Sequence, residues 1–74
     1  MNAFEKQVSI FIENKAKILK IDITAMDIKT HNYIMEINIE INGKENRNSS
    51  FRIDNNDLDK ENEEMLLMIN ELLK

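Results

Sequence analysis

The chain contains no cysteine, no proline and no tryptophan, and it has one glycine, one histidine and only three phenylalanines and one tyrosine among 74 residues. Without cysteine, neither a disulfide framework nor a thiolate zinc site can supplement the core, and His31 cannot build a metal site alone. A glycine-rich phosphate loop is excluded by Gly43 standing as the sole glycine. No serine or carboxylate sits at a recognisable catalytic spacing from His31, so no enzyme activity and no cofactor are expected. No apolar run approaches the roughly 18 residues that span a membrane, and no basic-then-apolar leader opens the chain. The expectation is a cytoplasmic protein without membrane association.

What the sequence does contain is enough apolar side chain to fold. Hydrophobic residues make up 42% and charged residues 32%, a balance that fits one small globular domain spanning residues 1–74 and not a disordered chain. Isoleucine, asparagine and lysine dominate, a bias expected of A+T-rich coding DNA. With so few prolines and glycines as punctuation, the hydrophobic period has to locate the elements.

From Asn2 to about Leu19, Phe4, Val8, Phe11, Ile12, Ala16, Ile18 and Leu19 form one helical stripe. Asn2 is the expected cap, with Glu5 three residues on completing a capping box. Between Ile21 and Asp54 the period becomes two. Ile21, Ile23 and Ala25 alternate, then a one-residue slip leads to Met26 and Ile28, which predicts a bulge near Ala25. Thr30 to Asn32 is the expected turn into a second strand whose inner residues are Tyr33, Met35, Ile37, Ile39 and Ile41. Asn42-Gly43 marks the next turn. A two-residue loop pairing Ile41 with Lys44 would turn Phe51 and Ile53 to solvent, so a bulged or longer loop is predicted, with a third strand around Ser49 to Asp54. From about Asp57 to Leu73, Leu58, Met65, Met68, Ile69, Leu72 and Leu73 form a second helical stripe. The expected fold is α+β: helix, three-stranded antiparallel sheet, helix, with both helices on the one apolar face of the sheet.

Charge is unevenly distributed. Net charge is −4 overall, +2 over residues 1–20, −1 over 21–53 and −5 over 54–74. Asp54, Asp57, Asp59, Glu61, Glu63 and Glu64 fall within eleven residues, and Glu36 and Glu40 belong to the polar face of the second strand. The cluster is no calcium loop, because Asp59 occupies the sixth position, where glycine is needed, and Met65 the twelfth, where glutamate should be. Its alternative use is to meet a basic groove, with carboxylates standing where phosphates would lie. Ile10 and Leu67 lie off the two helical stripes and are candidate residues for self-association as a homodimer.

The element order resembles the double-stranded RNA-binding domain. That family's Gly-Pro-x-His-type loop is replaced here by Thr30-His31-Asn32, and its lysine cluster by Asp57-Leu58-Asp59-Lys60-Glu61, so direct nucleic-acid binding is not expected. In size, acidity, isoleucine and asparagine bias and element order, the chain also resembles the small phage-encoded anti-CRISPR inhibitors. That resemblance implies a partner with a basic nucleic-acid groove such as a Cas nuclease, met by Asp54, Asp57, Asp59, Glu61, Glu63 and Glu64 with Glu36 and Glu40. An immunity or antitoxin protein for a basic nuclease, or a homodimeric regulatory subunit, is the alternative.

Overall fold

A computed structural model describes residues 2–54 and 58–74, with side chains described throughout except at 58–62. The order is α1 (Ala3–Leu19), β1 (Ile23–His31), β2 (Ile34–Ile41), β3 (Glu45–Arg52) and α2 (Leu58–Leu72). The strands form one antiparallel sheet in the order β1-β2-β3, so the expected α+β architecture is the observed one.

α1 begins as its sequence requires. Asn2 Oδ1 accepts from the Glu5 amide at 2.8 Å, and Glu5 Oε1 accepts from the Asn2 amide at 2.9 Å, satisfying two amides that the first turn leaves unpaired. At the other end Lys20 adopts a left-handed conformation with φ 58°, its amide donates to Lys17 O, and the Ile21 amide donates back to Ala16 O at 2.9 Å. This paired closure normally uses glycine; here a lysine takes the strained position. Ile18 and Leu19, expected in the buried stripe, are 76% and 47% exposed. Leu19 falls in the last turn, beyond the point where the sheet covers the helix, and Ile18 lies on the outer side, about 100° from the centre of the buried stripe.

Two hairpins set the register. In the first, Asn32 and Tyr33 have φ of 51° and 63°, the positive pair of a type I′ turn, and His31 lies opposite Ile34. Tyr33 is therefore a turn residue, 68% exposed, and not the first inward residue of β2. The turn sits one residue later than Thr30 to Asn32, because a two-residue loop closes on His31 and Ile34. In the second hairpin Asn42 and Gly43 have φ of 54° and 70°, and the Lys44 amide donates to Ile41 O at 3.1 Å. Glu45, however, is the residue opposite Ile41, so Lys44 is the extra residue the pattern demanded. With it, Phe51 lies opposite Met35, Phe51 packs against the core and Ile53 is buried.

The predicted bulge falls at Thr24, one residue before Ala25: Ile23 is opposite Ile41 while Ala25 is opposite Glu40. The Thr24 hydroxyl donates to Glu40 Oε2 at 2.7 Å and accepts from the Gly43 amide at 3.0 Å, which holds the unpaired residue in place. Ala25 consequently joins the solvent face and Met26 turns inward. β3 starts at Glu45, four residues before the expected Ser49, because its first two inward-phase positions are the polar Glu45 and Arg47, which broke the apolar alternation.

The core lies between the sheet and the two helices. Val8 and Ile12 of α1, Met35 and Ile37 of β2, and Met65 and Ile69 of α2 are almost fully buried in one cluster. Both helices thus cover one face of the sheet. Met68, placed in the α2 stripe, is half-buried at its margin.

Candidate binding surface

Because both helices take the same face, the other face of the sheet is uncovered. Strand alternation and the observed register assign it four rows: Ala25, Glu40 and Asn46; Asp27, Asn38 and Asn48; Lys29, Glu36 and Ser50; and His31, Ile34 and Arg52. Short polar side chains dominate β3, so the longer carboxylates of Glu36 and Glu40 on β2 stand above it. Glu36, Asp27 and Glu40 form a zigzag across β2 and β1. At a strand separation near 4.8 Å and a rise near 3.4 Å per residue, consecutive members are about 8 Å apart at Cα.

The cations on this surface are engaged. Lys29 Nζ lies 3.6 Å from Asp27 Oδ2, and Arg52 Nε donates to Asp54 Oδ1 at 2.9 Å. Both pairs are exposed, so each is weak and yields to ionic strength. Glu40 accepts from the Thr24 hydroxyl, a neutral partner. Counting Asp54 at the margin, four carboxylates share the surface with Lys29 and Arg52.

The acidic residues expected to act together divide among these layers. Glu36 and Glu40 stand on the uncovered face, joined by Asp27, which the sequence pattern had not singled out. Asp54 lies beside Arg52. Glu63 and Glu64 are exposed on α2, in the helix layer on the opposite side of the sheet. Asp57 lies outside the described residues, as do the side chains of Asp59 and Glu61. Asp27 could have been found by applying strict alternation to β1 after the bulge. His31 closes β1 as an exposed residue and is not part of the turn.

The buried acid, Glu5, has a structural role. Its carboxyl is held below the ordinary carboxylate range, chiefly by the Thr30 hydroxyl and next by the Asn2 amide, against the opposing effect of burial. Thr30 Oγ1 is itself buried and outside good hydrogen-bond geometry to any group, so the well-formed Asn2 bond is the firmer of the two contacts. Glu5 therefore caps the start of α1 and lies against Thr30 of β1. Among the described residues, no three histidine, cysteine, aspartate or glutamate side chains gather as a metal site, and no helix is long and apolar enough to cross a membrane.

No protein-family model matches the chain, and no curated protein or solved structure matches it either. The functional reading therefore rests on the surface itself.

Proposed function

We propose that this is a non-enzymatic phage or mobile-element protein that inhibits a host nucleic-acid enzyme by laying its acidic sheet face in the enzyme's basic groove. The most concrete partner is a Cas nuclease, met in the host cytoplasm. One observation supports this reading above the others: the sheet face left free by the helices brings Glu36, Asp27 and Glu40 together across β2 and β1. Short asparagine and serine side chains flank them, which lets a groove lined by lysine and arginine approach closely. Complementary charge of this kind accelerates association and orients the two surfaces.

The test is competition. A guide-loaded Cas nuclease and a panel of basic nucleases are titrated with the protein while bound to labelled DNA. Displacement of DNA that weakens with salt supports the reading. Retained displacement by Glu36→Lys/Glu40→Lys contradicts the acidic-face mechanism, and displacement from a toxin nuclease alone favours the immunity-protein alternative.

A further inference from the structure

We propose that α1 carries a second interaction surface, and that its partner is α1 of a second copy of this chain, laid antiparallel across a two-fold axis near Ile10. The observation is a stripe on the outer side of the helix. Ala3, Gln7, Ile10, Asn14 and Ile18 are all exposed and all uncharged, and they recur at intervals of four, three, four and four. At about 100° per residue they fall within a sector of roughly 80°. The stripe adjoins the half-buried Phe11, and from Ala3 to Asn14 it has the spacing of a coiled-coil seam, with Ile10 at its middle.

Charge selects the occupant and its direction. Lys6 and Glu13 lie seven residues apart on the same flank of the stripe. An antiparallel pair sets like flanks against each other, so with the axis near Ile10, Lys6 of each copy stands beside Glu13 of the other. A parallel pair instead sets this flank against the side carrying Phe4, Phe11 and Lys15, where Glu13 meets only the half-buried Lys15 and the exposed Lys6 meets phenylalanine. Lys17, on the same flank, falls near the second copy's Ala3, about one turn from its Lys6, so this like-charge approach subtracts from the two Lys6–Glu13 attractions. Leu67 on α2 offers no comparable surface. Although 67% exposed, it is hemmed by Glu63, Glu64 and Glu71, and two copies meeting there would bring carboxylates together.

One helix face against another covers less than the roughly 1,200 Å² of a standard interface, so the association is weak and concentration-dependent. Because α1 lies in the helix layer, pairing through its outer side leaves the acidic sheet face of both copies free. The inference thus stands independently of the proposed inhibitory function.

Sedimentation velocity from about 10 µM to about 1 mM measures the association directly, a range chosen for an interface of this size. The expected result is a monomer–dimer equilibrium, weakened about tenfold by Lys6→Glu or by Glu13→Lys and restored when the two changes are combined. Ile10→Asp, checked for folding by circular dichroism, abolishes the dimer. A monomer throughout the range overturns the proposal. So does a dimer indifferent to Ile10→Asp, or one that the combined charge swap fails to restore.

Discussion

Arg47 on the inner side of β3 donates from Nη1 to the carbonyl oxygen of Leu72 at 3.2 Å, and again to the carbonyl of Lys74. A strand residue thereby supplies the positive charge that α2 lacks in its own last turn, where carbonyls carry the negative end of the helix dipole. Glu45 holds the guanidinium from the other side at 3.0 Å. Replacing Arg47 with methionine keeps the bulk and removes these bonds. A loss of about 1–2 kcal/mol in urea unfolding is expected, whereas unchanged stability would show that the contact is incidental.

Glu5 makes stability depend on pH in a stated direction. Its folded pKa lies below the ordinary value of 4.5, so its contribution is complete above that value and is lost as pH falls through the lowered one. Glu5→Gln is therefore less stable than the parent at pH 7, by about 1 kcal/mol for the cap it weakens. The two proteins converge as pH falls from 7 into the acid range below that lowered value. Denaturant midpoints at pH 7 and in that acid range check this, and a gap that persists undiminished in acid contradicts it.

Two left-handed positions are occupied by residues with side chains where glycine fits better. Lys20 ends α1 at φ 58° and Tyr33 turns the first hairpin at φ 63°. Lys20→Gly and Tyr33→Gly are each expected to stabilise by about 0.5–1 kcal/mol, relief of strain exceeding the entropy glycine adds to the unfolded chain. In a chain of this size that raises Tm by several degrees, about 4–8 °C per kcal/mol. Conversely, Gly43→Ala meets no atom within 4 Å yet destabilises, because φ is 70° there.

These positions show where local pattern was sufficient and where it was not. The capping box of Asn2 and Glu5, the alternation from Met35 to Ile41 and the extra residue after Asn42-Gly43 follow from spacing alone, and each appears in the fold. Tyr33 was misplaced because an aromatic in phase with a strand looks inward until the turn is closed on His31 and Ile34. Leu19 keeps the helical period but overruns the sheet that would bury it, while Ile18 falls out of that period onto the outer side of α1. The start of β3 was hidden because Arg47 occupies an inner position to reach another element's carbonyls, a tertiary purpose with no local signature. For the surface, the alternation identified Glu36 and Glu40, while Asp27 needed the cross-strand register to join them.

The uncovered face is expected to tolerate charge reversal without loss of fold, since Glu36 is exposed and Glu40 hydrogen-bonds Thr24 at the margin. Glu36→Lys is expected to change stability by no more than about 0.5 kcal/mol, and Glu40→Lys somewhat more because it loosens the bulge at Thr24. Thermal unfolding of the two variants checks this. A collapse of either fold would assign the carboxylate to structure instead of to binding.

The most direct test of the proposed inhibition is the affinity of the protein for a guide-loaded Cas nuclease, compared with that of Glu36→Lys/Glu40→Lys across a salt series. The account predicts a salt-sensitive complex that excludes target DNA, with the double reversal lowering affinity at least about a hundredfold, as expected when two attractive charge contacts become repulsive. Equal affinity for parent and variant, or a complex indifferent to salt, would contradict the acidic sheet face as the binding surface.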